Sequence, residues 1–384
     1  MGLVSRTTAA RIAETVPDLM RPSWLTETWS GTFGRGGLTA RVQEAESTLQ
    51  MGVDALQGSS SATGWISKAR EQVGDFTRDN MLHPSGRLEV HHSYLELDGD
   101  AQGTGFARAF NEQAFARYAE AGVDDVTILA ALDVGGYAWA RQGFELEAHG
   151  AADGERTLQR ARTIRNIVIG ARDDGNISTR EFASVRGRLV SAGGRLPANP
   201  LASVQELAAL PIGRQVLLGT AWDGVREIER TQPWWAGRLA GSSAATDAAE
   251  GLSHLTHATA VTKRTADASR AVAAVLPEPL DPFAASRAFE RNLGARIDPE
   301  RSFTRLHLSG RDQVTDVRSE HKLLLPDGRE QSILVVAKSD GAVVGFDHSR
   351  GDRSLRLRLN QAWRDLGVTS VRDDDTRALR TVRL

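Results

Sequence analysis

The segment Leu95-Glu96-Leu97-Asp98-Gly99-Asp100-Ala101-Gln102-Gly103-Thr104-Gly105-Phe106-Ala107 constrains this chain more than any other. An apolar alternation runs through a Gly-rich turn and emerges as a helical period. A helix start presents unpaired backbone N–H groups and the positive end of the helix dipole, so the junction is a ready anion site. Glycines at 103 and 105 allow the backbone to come close to a diphosphate. Taken alone, such a turn also suits close packing, so its surroundings decide how it is read.

Upstream, residues 1–35 read as an N-terminal arm that ends in a Gly/Ser/Thr-rich linker, Ser30 to Gly37. Apolar stretches at Leu38 to Val42, Leu49 to Leu56, Trp65 to Arg70, Phe76 to Leu82 and Arg87 to Leu97 predict an antiparallel meander. Its turns are expected at Gly58–Gly64, Val73–Asp75 and His83–Gly86. Downstream, Phe106, Phe110, Ala114, Tyr118 and Ala121 recur at helical spacing, and Gly122 stands at the C-cap. Val126 to Leu132 predicts a buried strand, Gly136 to Gln142 a short helix, and Phe144 the start of another strand.

Beyond this point the pattern is helical from Glu155 to about Val275, with loops at Gly193–Pro200 and Gly241–Thr246. Leu276 to Pro282 reads as a linker. Three apolar runs between His321 and Asp347, joined by Pro326-Asp327-Gly328 and Ser339-Asp340-Gly341, predict hairpins. A helix at about Ser354 to Leu366 completes a small α+β domain. The expected organisation is α/β (α+β): arm 1–35, mixed and mostly antiparallel sheet domain 36–150, helical extension 151–275, and α+β domain 283–384.

Composition narrows the chemistry. The 384 residues contain no cysteine, which excludes disulfides, thiolate nucleophiles and Cys-ligated zinc. Lys plus Arg (47) nearly balance Asp plus Glu (49), so a dedicated nucleic-acid binder is not expected. Neither a signal-peptide pattern nor an apolar run of about 18 residues is visible, so a cytoplasmic protein without a membrane partner is expected.

Gln102-x-x-Gly105-x-Ala107, in register with the preceding strand, resembles the Gln/Arg-x-x-Gly-x-Gly/Ala motif of the GNAT (GCN5-related N-acetyltransferase) superfamily. The following helix, the strand Val126 to Ala131 and the closing Trp139-Ala140-Arg141-Gln142-Gly143-Phe144 resemble that family's C-terminal half in order and spacing. The resemblance spans about 110 residues and is clearest from His92 to Phe144.

It implies acetyl-CoA as cosubstrate, no metal, and an amine-bearing small molecule or protein as acceptor. Backbone groups of Leu95 and Leu97 would hold the acyl carbonyl and pantetheine arm. The amides of Gln102, Gly103, Thr104, Gly105, Phe106 and Ala107 would hold the pyrophosphate. Glu89 and His91, on one strand face, are the candidate bases. Many family members carry a Tyr as general acid five residues before the Phe; here that position is Trp139, whose indole cannot serve, and Tyr137 lies two positions away. Asp133 to Arg141 and Gly213 to Gly224 also resemble a GNAT-like module of large phage-related or polymorphic-toxin bacterial proteins. That likeness implies a binding or assembly role with protein partners.

Other pairs have plainer readings. Asp174 to Glu181 has the Gly, Ile and Glu of an EF-hand loop, but Gly170 and Arg172 would fall at ligand positions, so Ser178-x-x-Glu181 is read as a capping box. Trp234-Trp235 reads as a packing anchor, and His254-x-x-His257 lacks further metal ligands. Arg353, Arg356 and Arg358 alternate with leucines, which suits an edge strand with a basic face as well as the helix. Asp373 to Asp375 reads as a solvated loop.

Overall fold

The computed structural model describes residues 12, 14–52, 55–131, 135–148, 152–229, 266–274, 276, 280–299, 301–337, 343–347, 353–368, 370–373 and 379–381. The fold is mixed and its sheet is mostly antiparallel, as an α+β chain requires. Two compact units divide it. One comprises Met1–Glu89, Tyr94–Val123 and Arg230–Leu384; the other comprises Val90–Ser93 and Asp124–Glu229. Trp234-Trp235, His254 and His257, the Gly241–Thr246 loop and the Ser339–Gly341 turn lie outside the described residues.

The first unit is built on long strands: β1 (Gly31–Phe33), β2 (Leu38–Gly52), β3 (Leu56–Lys68), β4 (Glu71–Leu82) and the ends of β5 (Leu88–Leu97). Burial alternates along them, as the period of two demands. On one face lie α1 (Pro22–Trp29) and α2 (Phe106–Ala121), with Leu25, Trp29, Phe106, Phe110, Ala114 and Tyr118 buried. Phe33 meets Phe106 and Phe110 edge-on, at centroid distances of 5.6 and 5.1 Å. Gly122, at φ 75°, closes α2 by donating its N–H to Ala119 and Tyr118 carbonyls.

Two turn expectations are corrected. Gly58 and Gly64 lie inside β3, and Gly74 lies inside β4. A Cβ on them would stand 2.7 Å from Thr48 O, 2.4 Å from Arg41 O and 2.2 Å from Glu96 O respectively. These glycines let backbones approach within strands. The actual β3–β4 turn is at Ala69 and Arg70, both at positive φ (50° and 80°).

Buried polar groups join the sheet to its helices. Arg78 is fully buried beneath α2; its Nη1 donates to Tyr94 O at 2.6 Å and Thr77 O at 2.8 Å, and its guanidinium lies 5.5 Å from the Phe110 ring centroid. Burial pulls its pKa down to about 10 and pushes the Tyr118 phenol up. Trp29 Nε1 donates to Tyr118 Oη at 3.2 Å.

The same unit continues through β9 (Arg296–Ile297), β10 (Phe303–Ser309), β11 (Gln313–Leu324), β12 (Glu330–Ala337), β13 (Val343–Asp347), β14 (Ser370–Asp373) and β15 (Leu379–Thr381). β10 pairs antiparallel with β2, with Leu306 opposite Leu49, so strands from the two ends of the chain share one sheet. Its order is β15-β14-β13-β12-β11-β10-β2-β3-β4-β5, with β13 and β14 parallel. The β11–β12 turn at Pro326 to Gly328 follows the expected hairpin.

Residues 281–293, entered through the expected linker, instead start a helix. Asp281 caps it by accepting from Phe283 N at 2.8 Å, and Pro282 occupies the first turn. Its side chain Phe289 meets Trp363 of the helix Arg353–Asp365 edge-on at 5.6 Å. That second helix excludes the edge-strand alternative for the arginine–leucine alternation.

The second unit contains residues 90–93 of β5, then β6 (Asp125–Ala130), β8 (Trp222–Glu227) and β7 (Glu145–Leu146), with β8 between β6 and β7 and antiparallel to both. β8 lies where the helical extension was expected. Its helices are α3 (Gly135–Arg141), α4 (Asp153–Asp173), α5 (Thr179–Arg186), α6 (Val204–Ala209) and α7 (Gly213–Leu217). Ser178 and Glu181 form the expected capping box at α5.

Candidate functional site

β5 ends at Leu97, and the chain makes a single 3-10 turn over Gly99–Ala101 before the glycine loop. Asp98 N donates to Val73 O at 2.9 Å, and Gln102 Nε2 donates back to Leu97 O at 2.9 Å. Thr104 Oγ1 donates to Ala101 O at 2.8 Å. Three side-chain or main-chain ties thus fix a short loop whose own amides stay available.

Gly103 and Gly105 both have positive φ, 72° and 78°, and a Cβ on either would meet nothing within 4 Å. Packing does not demand glycine there; the left-handed backbone does. Gly105 is the N-cap of α2 and supplies no side-chain cap. Among the described residues, the N–H groups of residues 103 to 108 have no acceptor, while Ala109 N already donates to Gly105 O. This run of donors at the positive end of a helix is chemically an anion cradle.

One flank of the cradle is walled by the β1–β2 loop. A Cβ on Gly34 (φ 69°) would stand 2.9 Å from Phe106 N, and one on Gly36 would stand 3.1 Å from the Thr104 side chain. The Gly-rich stretch expected to be a linker therefore packs against the cradle at Gly34 and Gly36, and at Gly34 a Cβ would force the backbone to shift. No known family model matches this chain, and no curated protein matches it.

The candidate catalytic groups fall in both units. Glu89, in the first, is half-buried, and its Oε2 lies 3.3 Å from both His83 Nε2 and Arg87 Nη1. Neither of those partners was singled out from the sequence, although Arg87 stands two residues before Glu89 on the same strand face. Leu95 and Leu97 are half-buried at the far end of β5. At about 3.3 Å rise per residue, Glu89 stands roughly 26 Å along the strand from Leu97.

His91 and Tyr137 belong to the second unit. His91 is half-buried, with Nδ1 3.0 Å from Thr127 Oγ1, a hydroxyl that can pair with either tautomer. His92 points to the other face and is buried, its ring 5.8 Å from Trp139 and 6.4 Å from Phe144. Trp139 also meets Phe144 edge-on at 5.1 Å, so it packs the base of α3. Tyr137, two residues earlier, is turned about 200° around the helix from Trp139.

Among the described residues, no group of three or more His, Asp or Glu side chains could hold a metal ion. No helix among them is long and apolar enough to cross a membrane.

Proposed function

We propose that this chain is an acyl-CoA-dependent N-acyltransferase that moves an acetyl group from acetyl-CoA to an amine. The observation that carries this reading is the run of acceptor-free amides from 103 to 108, opened by two left-handed glycines at the end of β5. The order β5, glycine loop, α2, β6, α3, β7 supports it, because it is the order on which the GNAT resemblance rests. The site suits the cosubstrate: its diphosphate needs several N–H donors without side-chain bulk, and both glycine positions face open space.

Acetyl-CoA supplies an acyl carbon activated as a thioester. The chain's part is to bind and orient. Amides 103 to 108 hold the diphosphate, and the edge of β5 near Leu95 and Leu97 guides the arm. The acceptor's ammonium must lose a proton before attack; Glu89, held by His83 and Arg87, and His91 are the candidate bases, and the one that serves must come within hydrogen-bond reach of the amine. The amine lone pair then forms a C–N bond as the C–S bond breaks, the nitrogen gives up its second proton to solvent, and the departing thiolate takes one from solvent.

A second reading, a non-catalytic binding module, is favoured by one feature: the position where a tyrosine acid would stand is Trp139, engaged in packing. Saturating acetyl-CoA should raise the melting temperature in the parent and not in Gly105→Glu, whose carboxylate would enter the cradle. Binding with no acyl transfer to any amine in a broad acceptor screen would select the module. No binding at millimolar acetyl-CoA would remove the acyltransferase reading.

A further inference from the structure

The sheet of the first unit has a second face, turned away from α1. Ser47 and Ser60 point toward the helix side, donating to Met20 O and Leu19 O, so their strand neighbours Thr48 and Ser59 point the other way. On that outer face a cleft of about 480 Å³ crosses β10, β2, β3 and β4. Its volume falls within the range of small-molecule sites, roughly 300–1,000 Å³.

The strand registers arrange its floor in two rows. Arg305 stands opposite Gln50, which stands opposite Gln57; beside them Thr48 stands opposite Ser59, which stands opposite Met81. The rows therefore present a guanidinium and two carboxamides, then two hydroxyls and a thioether. Met81, 48% exposed, begins an apolar wall that Pro84 extends.

Among the described residues, none that lines this cleft carries a carboxylate. Arg305 has no ion-pair partner among the described residues, and its guanidinium is steadied over the Phe303 ring at 5.2 Å. By contrast, the neighbouring cation-capable groups are engaged: His307 with Thr48 and Glu46, His83 with Glu89. Among the described residues lining the cleft, the charge left without an ion-pair partner is therefore positive and held in place.

From this juxtaposition we infer that the cleft binds the carboxylate end of an N-acylated amino acid with an apolar side chain. The carboxylate pairs with Arg305, the amide exchanges hydrogen bonds with Gln50 and Gln57, and the side chain lies on Met81 and Pro84. A planar guanidinium matches a carboxylate in two parallel hydrogen bonds, which a neutral amide end cannot reproduce. The ligand is either a free N-acyl amino acid or the C-terminus of a peptide. The inference does not depend on acyl transfer.

The test is titration calorimetry on the full chain with N-acetyl-leucine, with N-acetyl-alanyl-alanyl-leucine, and with the C-terminal amide of each. Saturable binding of the acids, at least tenfold weaker for the amides and for Arg305→Gln, is expected. Arg305→Lys should recover part of the loss. Tighter binding of the tripeptide acid assigns the site to peptide ends, and equal or weaker binding assigns it to the free compound. Arg305 is exposed, so its variants should keep the parent melting temperature. No saturation by either acid at 10 mM, or equal affinity for acid and amide, overturns the inference.

Discussion

Replacing His321 with leucine should flatten the acid side of the stability profile. His321, on β11, is 1% exposed, sits 6.0 Å from the Phe289 ring, and neither of its ring nitrogens has a hydrogen-bond partner among the described residues. Burial alone pulls its pKa from 6.5 to about 4. The sign follows from proton uptake. Between pH 6.5 and 4 the unfolded chain binds a proton that the native state does not, so stability is complete above pH 6.5 and falls with acidification. Below about pH 4 both states are protonated and the loss stops growing.

The interval 6.5 − 4 = 2.5 pKa units corresponds to roughly 3 kcal/mol at 1.36 kcal/mol per unit. Leucine removes that proton and also removes two unpaired buried nitrogens, so near pH 7.5 it should be neutral or stabilising within about 1 kcal/mol. Urea unfolding followed by tryptophan fluorescence, from pH 4 to 8, measures both chains. The carboxylates they share cancel in the difference. Parent and variant should converge near neutrality and separate by up to roughly 3 kcal/mol toward pH 4. Curves that stay parallel across the range would refute the burial argument.

Two further substitutions probe the sheet. Asp312, in the β10–β11 turn at φ 56°, accepts from Ser23 N at 2.9 Å and so caps α1 from 289 residues away. Asp312→Ala should cost about 1–2 kcal/mol in urea unfolding, and Asp312→Asn, which keeps the acceptor oxygen, less than half of that; equal losses would contradict the cap. Gly64→Ala places a Cβ 2.4 Å from Arg41 O and 2.6 Å from the Phe76 ring. It should cost about 3 kcal/mol or yield insoluble protein, and a variant as stable as the parent would show that β2, β3 and Phe76 are less closely packed.

What could be read from the sequence was mostly local. The α2 stripe from Phe106 to Ala121, the glycines that open and close it, the Pro326-Asp327-Gly328 turn and the Ser178–Glu181 box each depend on neighbours a few residues apart. Gly58 and Gly64 look like turn residues in the sequence, but the reason for them is the path of another strand, which no local pattern records. Likewise nothing near Leu306 announces Leu49 as its partner, and the burial of Arg78 beneath α2 has no signature in a strand of alternating residues. The strand Trp222–Glu227 was absorbed into a helical region because its Gly224 weakens the strand pattern, while in the fold a Cβ there would meet Trp222 and Ile128. The Asp281-Pro282 start is local as well: an acceptor side chain before a proline in the first turn is a helix signal that outweighs the linker reading of Leu276 to Pro282.

The candidate site divides the same way. Left-handed glycines at 103 and 105 follow from the loop sequence, whereas the wall formed by Gly34 and Gly36, and the His83–Glu89–Arg87 group, are tertiary facts. Within that group Glu89 is legible from the sequence as a candidate base, and Arg87, two residues away, lies within reach of the same local reasoning.

The most direct test of the acyltransferase reading is the melting temperature with and without acetyl-CoA, in the parent chain and in Gly105→Glu. At about 100 times its dissociation constant, a ligand bound only to the native state stabilises it by roughly 2.7 kcal/mol, a rise of several degrees. A rise in the parent that is abolished in Gly105→Glu, each measured against its own unliganded melting temperature because a side chain at the left-handed position 105 lowers the variant's baseline, is the predicted result. No rise at millimolar acetyl-CoA, or an equal rise in the variant, would contradict a CoA site at residues 103 to 108.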